Sequence, residues 1–461
     1  MKRNRPGTFG KTKHIHFVGI GGIGMSGLAT IMKNLSFKVT GSDLHPSDIT
    51  QNLKRMGISV SYGHRKDNVK GADVVVYSSA IKRDNPEIVG IGQSGVPVIH
   101  RAELLAELTR TKFAICISGT HGKTTTTSLV SEVLQHGGLS PTTVIGGIVI
   151  GKSQATLGAG DYLVCEVDES DKSFLRVYPS YAVVTNIEAE HLDYYRNLDE
   201  IMEHFGHFAN HVPFWGCVFL GADSETTMAI RRNIRRRVIL YGLDDHSDLM
   251  AEGLQKYDFG VSFIVKMKNK RVGKFTVSLP GRHNVANALS AIGVGLELDI
   301  RVNDIKDALR SFKGVHRRIE YIGDANGVKI FDDYGHHPTE IAVTLQTLRE
   351  YFPSSRIVSV FQPHRYTRTF HLFDQFTKCF LSADVVILTE IYSAHESPIP
   401  GITGHALAKR VGREQGSVHF LGSFKKIIAF LSDEVRPGDV VIFQGAGDIN
   451  KVARILFAEL K

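Results

Sequence analysis

The run Cys116-Ile117-Ser118-Gly119-Thr120-His121-Gly122-Lys123-Thr124-Thr125-Thr126-Thr127 constrains this chain more than any other stretch. Apolar Phe113 to Ile117 reads as a buried strand, and Ser128 to His136 as a helix. Glycines at the break let backbone N–H groups converge on anionic oxygens, and the helix N-terminus adds favourable partial charge. Lys123 can reach outer phosphates, and the Thr124 hydroxyl can bind Mg²⁺. The spacing is a shortened form of the Walker loop: Ile117 stands where the first glycine is expected, and Gly119 lies three residues before Gly122. A plain turn beside an exposed lysine would also need glycine. The intact Gly-Lys-Thr at a strand–helix junction favours a nucleoside triphosphate, ATP with Mg²⁺.

A second glycine loop, Gly19-Ile20-Gly21-Gly22-Ile23-Gly24, fits G-x-G-x-x-G. Asp43, at the end of the next strand, has the offset expected of an acidic group on a ribose. From the residues alone this is either a dinucleotide-type diphosphate site or a close helix–strand contact that needs glycine.

The 461 residues predict roughly two to four domains. Net charge is +8, yet the basic residues are dispersed. The densest run, Arg231-Arg232-Asn233-Ile234-Arg235-Arg236-Arg237, reads as a solvated helix end. A polyanionic small substrate explains the positive balance, and no nucleic-acid partner is expected. Cys116, Cys165, Cys217 and Cys379 are widely spread without a Cys-x-x-Cys pair, which suits reduced thiols in the cytoplasm. The uncharged stretch Phe17 to Met32 imitates a signal segment, but Gly19, Gly21, Gly22, Gly24 and Gly27 suit a turn better. No other run approaches the length of a membrane span, so no membrane partner is expected.

Three segments follow, each with strand–helix alternation of the doubly wound α/β kind. Residues 1–110 carry strands at His14 to Ile20, Phe37 to Gly41 and Val74 to Tyr77, and helices at Met25 to Asn34, Ser47 to Met56 and Arg101 to Thr109. Residues 111–312 hold the phosphate loop and two strands, Tyr162 to Val167 and Tyr181 to Thr185. Their C-terminal ends, where ligands bind in open α/β sheets, deliver Glu166, Asp168, Glu169 and Asp171, then Asn186, Glu188, Glu190, His191 and Asp193. Tyr257 to Leu279 alternates as antiparallel strands, and Val285 to Leu296 reads as a helix. Residues 313–461 carry strands at Ile357 to Phe361, Val385 to Leu388 and Val440 to Phe443.

Two glycine loops of different type suggest an enzyme that uses ATP to activate something attached to a second nucleotide. Glu166 is a natural partner of Thr124 on Mg²⁺. His191 is a less usual magnesium ligand, and a structural hydrogen-bonding role fits it as well. Arg365 and Arg368, three apart, can face one anion with guanidinium forks.

Taken together, the motifs resemble the Mur ligases. They are Gly-Ile-Gly-Gly-Ile-Gly-Met-Ser at 19–26, Gly-Thr-His-Gly-Lys-Thr-Thr-Thr at 119–126, Glu-Val-Asp-Glu-Ser-Asp at 166–171 and Asn-Ile-Glu-Ala-Glu-His-Leu-Asp at 186–193. Gly-Arg-His-Asn-Val-Ala-Asn at 281–287, Asp-Asp-Tyr-Gly-His-His-Pro-Thr-Glu at 332–340 and Gln-Pro-His-Arg-Tyr-Thr-Arg at 362–368 continue the match from about Lys13 to Lys451. The resemblance implies an N-terminal Rossmann-like domain (1–110) for a UDP-substrate, a central P-loop ATPase-like α/β domain (111–312) and a C-terminal Rossmann-like domain (313–461). It reassigns the first glycine loop to the diphosphate of UDP-N-acetylmuramate, over Gly21, Gly22, Ile23 and Gly24, with Asp43, Ser78, Ser79 and Ala80 nearby. It implies ATP at Gly119, Thr120, His121, Gly122, Lys123, Thr124 and Thr125, beside Asn284, Asn287 and Arg318, with Asp333 contributed by the C-terminal domain. Thr124, Glu166 and His191 would hold Mg²⁺. Lys123, His336, Arg365 and Arg368 would serve catalysis, the last three on L-alanine. Several members carry a carbamoylated lysine between metals; no counterpart is identified here. Gly335 after Tyr334 and the Gly21-to-Gly24 run favour L-alanine over a recycled peptide as the group added. A dinucleotide-dependent oxidoreductase would leave Lys123 and Thr124 without a role, and a non-catalytic regulator would leave 332–338 and 362–368 without one. The resemblance leaves monomer or dimer open.

Overall fold

The computed structural model describes residues 9–92, 94–151, 155–192 and 194–461, so Asp193 lies outside the described residues. Three sheets organise the described residues. The first, in the order β3-β2-β1-β4-β5, is all parallel and consists of β1 (His14–Val18), β2 (Lys38–Asp43), β3 (Ser59–Tyr62), β4 (Val74–Tyr77) and β5 (Val98–His100). Its order reverses at β1, whose neighbours are β2 and β4. That topological switch point opens a crevice at the strand ends.

The second sheet has ten strands, ordered β15-β14-β13-β12-β11-β10-β6-β9-β7-β8. They are β6 (Phe113–Ser118), β7 (Thr142–Val144), β8 (Ala155–Thr156), β9 (Tyr162–Glu166), β10 (Tyr181–Val184), β11 (Cys217–Gly221), β12 (Val238–Gly242), β13 (Leu249–Tyr257), β14 (Gly260–Met267) and β15 (Lys270–Val277). β6 runs parallel between β9 and β10, so the acidic end of β9 and the polar end of β10 flank the loop that follows β6. Helices cover both faces of a parallel sheet, which is why β6 and β11 read as unbroken apolar runs.

The third sheet, β16-β17-β21-β18-β19-β20, comprises β16 (Glu320–Ala325), β17 (Val328–Asp333), β18 (Ile357–Phe361), β19 (Val385–Leu388), β20 (Val418–Phe420) and β21 (Val440–Gln444). Successive residues of its central strands enter two cores: Phe331, Phe361 and Ile442 on one face, Ile330, Val360, Val441 and Phe443 on the other. Two compact units result. One takes the chain to Tyr257 with Ser262–Ser278 and Asn284–Phe312; the other holds Asp258–Val261, Leu279–His283 and Lys313–Lys461. Among the described residues, no helix is long and apolar enough to cross a membrane.

One expectation needs correction. The helix after the phosphate loop runs Lys123–His136, five residues longer at its start than the apolar pattern indicates. The threonine run argues against helix by propensity. Here the hydroxyls satisfy themselves on the turn behind: Thr127 donates to the Lys123 carbonyl (2.8 Å) and Ser128 to that of Thr124 (2.7 Å).

Candidate active site

In the first unit, Gly19 leaves β1 at φ +77°, and the Gly19 and Ile20 N–H groups donate to the Ser42 carbonyl at 2.9 Å. The Gly21 N–H donates to Asp43 (2.8 Å), and a Cβ on Gly21 would stand 2.8 Å from that oxygen. Asp43 is therefore a brace for the loop. The helix Ile23–Asn34 then begins with no side-chain cap and no acidic residue in its first turn. Its first N–H groups are left for an anion. Ser78 and Ser79 follow β4, the neighbour of β1, and the exposed Ser79 hydroxyl donates to Asp171 (2.8 Å).

The phosphate loop is pinned from the adjacent strand. The Thr120 N–H donates to the Asn186 carbonyl (2.9 Å), the His121 N–H to the Asn186 side chain (2.8 Å), and the Thr185 hydroxyl to the His121 carbonyl (2.6 Å). Gly119 (φ +138°) packs so tightly that a Cβ would fall 2.0 Å from the Thr185 hydroxyl. Gly122 (φ +81°) leaves room for Asn287, which accepts from the Thr126 hydroxyl at 3.1 Å and donates to Asn284 at 3.2 Å.

Lys123 points back over this loop. Its ammonium donates to the Gly119 and Thr120 carbonyls (2.6 and 3.0 Å) and pairs with Glu169 (2.8 Å). Burial alone would lower its pKa, but Glu169, Asp168 and Glu166 outweigh that and hold it above the usual lysine range. Burial pushes Glu169 up to about 8 against the pull of Lys123, while Asp168, against its own burial, is held low by Lys123 and Arg101. Within the Lys123–Glu169 pair, the surroundings favour the charged form of Lys123. The Thr124 hydroxyl donates to Glu166 at 2.9 Å, and the Gly146 N–H donates to the same carboxylate oxygen at 2.9 Å. A hydroxyl and a carboxylate converging beside a cationic phosphate loop are a fitting hard-oxygen donor set for Mg²⁺. His191, at φ +57°, faces Glu169 at 3.7 Å and Glu190 at 3.8 Å. A cavity of about 280 Å³ joins the two glycine loops, lined by Gly24, Arg101, Lys123, Gly146, Glu166 and Asp168.

In the second unit, β17 ends at Asp332-Asp333. Asp333 is buried, accepting from the Ile319 and Gly335 N–H groups (2.9 and 2.8 Å) and the Thr344 hydroxyl (3.3 Å). Both its oxygens accept hydrogen bonds inside the unit, where it shapes the Tyr334-Gly335 turn. Tyr334 lies under Arg317 and Arg318, at 5.0 and 5.3 Å from its ring centre. The His336 Nδ1 lies 3.1 Å from the Tyr334 carbonyl, which can only accept. Nδ1 therefore carries a proton, and in the neutral ring Nε2 is the acceptor nitrogen. Arg365, at φ +71°, precedes the short helix Tyr366–His371 and pairs with Glu396 at 2.5 Å. Arg368 donates to the His364 Nδ1 at 3.2 Å. Burial, with Arg368 and its neighbours, pushes His364 down to about 3, so it accepts as a neutral ring.

Comparison with known proteins gives three consecutive family matches: Mur ligase family, catalytic domain, over residues 14–113; Mur ligase middle domain over 117–295; and Mur ligase, glutamate ligase domain, over 317–447. The chain belongs to the Mur ligase family. Among curated relatives, the UDP-N-acetylmuramate–L-alanine ligase of Desulfatibacillum aliphaticivorans is 48% identical over 451 residues, covering 97% of this chain and 99% of that protein. That of Geobacter sp. strain M21 is 48% identical over 456 residues, with 98% and 99% covered. Among solved structures, the UDP-N-acetylmuramate–alanine ligase of Thermotoga maritima superposes with a TM-score of 0.83 at 31% identity, covering 97% and 99%. A murein peptide ligase of Psychrobacter arcticus gives 0.71 at 26%, covering 97% and 98%.

In this Mur ligase the fold brings together Gly119 to Thr125, Glu166, Asn284 and Asn287, and one cavity is lined by Ile23 and Gly24 of the first glycine loop together with Lys123 and Glu166. Arg318, Asp333, His336, Arg365 and Arg368 lie in the second unit. Sequence reasoning gave no role to Arg101 or Glu396. Arg101 carried a faint signal: a cation opens the helix Arg101–Thr109, where acidic residues are favoured. Glu396 sits in an irregular segment and left none.

Proposed function

We propose that this Mur ligase joins L-alanine to the lactyl carboxylate of UDP-N-acetylmuramate through an acyl phosphate, in peptidoglycan precursor synthesis in the cytoplasm. The carrying observation is that two anion-binding loops of different type open onto one cavity, in a chain nearly half identical, end to end, to ligases of that name. Residues 1–110 bind the UDP-substrate, 111–312 bind ATP, and 313–461 bind the amino acid.

A carboxylate repels nucleophiles until it is phosphorylated. A lactyl carboxylate oxygen attacks the γ-phosphorus of ATP and expels ADP. The alanine amine then attacks the acyl carbon and expels inorganic phosphate. Lys123 offsets charge on the transferring phosphoryl group and aligns it, the positioning on which phosphoryl transfer mainly depends. Thr124 and Glu166, with His191 as a further candidate, would hold Mg²⁺, which would supply the rest of that charge neutralisation. Asn284 and Asn287 fix the loop on its far side. His336 takes the amine's proton on Nε2, and Arg365 with Arg368 hold the alanine carboxylate.

The test is phosphate release with ATP and UDP-N-acetylmuramate against L-alanine, glycine, L-serine and the tripeptide of the recycling ligases. Release that needs L-alanine supports the reading. Release that needs the tripeptide assigns the chain to the recycling reaction instead. No release with either, alongside nicotinamide oxidation or reduction, overturns both.

A further inference from the structure

Arg101 is the cation that the phosphate loop does not use. It stands at the start of the helix Arg101–Thr109, and its guanidinium crosses the first turn of the helix Ile23–Asn34. A Cβ on Gly24 would lie 2.9 Å from its Nη1. Its Nη2 donates to Asp168 at 3.1 Å, and about a quarter of the side chain remains exposed. Of the residues lining the cavity between the two glycine loops, Arg101 and Lys123 carry permanent positive charge, while Glu166 and Asp168 carry negative charge. Lys123 is committed to the Gly119 and Thr120 carbonyls and to Glu169. A diphosphate over Gly21 to Gly24 would bring about two negative charges into a cavity whose own charges already balance. The uncapped N–H groups offset only part of that, about half a unit of charge. The guanidinium has five donors, of which Asp168 takes one, and its planar fork matches two phosphate oxygens.

We propose that Arg101 binds the diphosphate of the UDP-linked substrate jointly with the Gly21-to-Gly24 loop, and that Asp168 holds the guanidinium over that loop. This rests on the assignment of the first glycine loop to the UDP-substrate. A side chain at position 24 would push the guanidinium away from the loop, because a Cβ there stands 2.9 Å from Nη1. Asp168 lies beside both Arg101 and Lys123, so it links the diphosphate site to the ATP site through one carboxylate.

The test is calorimetric binding of UDP and of UDP-N-acetylmuramate to the full-length wild type, R101A, R101K and G24A, with ATP binding as the control for folding. R101A should weaken UDP and UDP-N-acetylmuramate by a similar factor, roughly 10- to 100-fold for a lost charge-assisted pair. ATP affinity should stay within about threefold. R101K, which keeps the charge and loses the fork, should fall between. G24A should weaken UDP modestly, and should add nothing in an R101A background because the clash partner is gone. Equal UDP binding by wild type and R101A would overturn the proposal while leaving the loop assignment intact. A loss confined to UDP-N-acetylmuramate would move Arg101 to the lactyl carboxylate and overturn it as stated. If the wild type binds neither compound, the loop assignment fails and the proposal with it.

Discussion

The phosphate loop of the first unit and the Asp332-to-Arg368 region of the second both concentrate charge, but they are built from different materials. Around Lys123 the anion site is backbone: two left-handed glycines, a helix N-terminus, and carbonyls that seat the ammonium. Neighbouring elements enter as braces, through Thr185 and Asn186 at the end of β10 and Asn287 on the helix Arg282–Glu297. In the second unit the site is side chains holding side chains. Arg365 is oriented by Glu396, Arg368 by His364, and His336 by the Tyr334 carbonyl. Its strained residue, at φ +71°, is an arginine where the phosphate loop has glycine. A backbone site survives most substitutions around it and fails at its glycines and its one lysine. A side-chain site degrades in steps as each partner is removed.

The largest effect expected is therefore at Lys123. Lys123→Ala should lower kcat by about 10² to 10³ or more, the usual loss when one preorganised charge leaves the transition state. The fold should survive, because Asn287 and Thr185 hold the loop independently. Near-normal turnover at saturating ATP would show that this loop, too, spreads its function over many groups, and would break the contrast.

Next come the arginines. Arg365→Ala or Arg368→Ala should raise KM for L-alanine by roughly 10- to 100-fold, as expected for a charge-assisted bond, and leave KM for ATP nearly unchanged. If only ATP affinity falls, the arginines serve the phosphate, and the two regions are one functional class.

A smaller effect separates the regions by pH. Asp332 is fully buried, neither oxygen has a hydrogen-bond partner, and the Arg317 Nε is 3.6 Å away. Burial raises its pKa from 3.8 to about 7, with Arg317 opposing and Asp333 and Glu320 adding. The folded state thus keeps a proton that the unfolded chain releases near pH 4, so this group's contribution is greatest below that pH and is lost as pH rises towards 7. Asp332→Asn should remove this group's share of the slope, leaving that of Glu169, and be the more stable form at pH 8, by about 1–3 kcal/mol. Calorimetric unfolding at pH 5 and pH 8 measures it. An unchanged slope would mean that Asp332 titrates normally.

What could be read from the letters follows the same division. The cradle at 119–124 and the loop at 19–24 were legible because backbone-built sites spend glycines at fixed offsets, and the flanking strands are buried on both faces and therefore apolar. The Ile357–Phe361 and Val385–Leu388 strands have the bounds the apolar runs indicate. The early start of the helix Lys123–His136 was hidden by four threonines whose propensity points elsewhere. Asp43 looked like a ribose ligand, yet its nearest role is bracing Gly21, and that depends on a strand register no local pattern reveals. Arg101 and Glu396 reach their partners across 67 and 31 residues, so local spacing cannot pair either with the group it meets.

The finest test of the contrast is Glu396. Its carboxylate accepts from the Arg365 Nε (2.5 Å), the Thr367 N–H (3.0 Å) and the Thr367 hydroxyl (2.8 Å). Burial works against its charge, but these donors and the Arg365 charge hold its pKa below the ordinary carboxylate value. Glu396→Gln keeps an acceptor for Thr367 and removes the charge that orients Arg365. Arg365 would then pivot with the same net charge and less order, an effect of positioning rather than of binding chemistry. KM for L-alanine should rise by only about three- to tenfold, with kcat and KM for ATP little changed, whereas Glu396→Ala, which also uncaps Thr367, should be worse in both KM and stability. In an Arg365→Ala background the Glu396→Gln change should add nothing to KM, because the group it orients is gone; such non-additivity is what two residues acting as one unit produce. If the two changes add in full, Glu396 acts on the substrate or the fold by itself, and the second unit's site is not the chain of side-chain supports that distinguishes it from the phosphate loop.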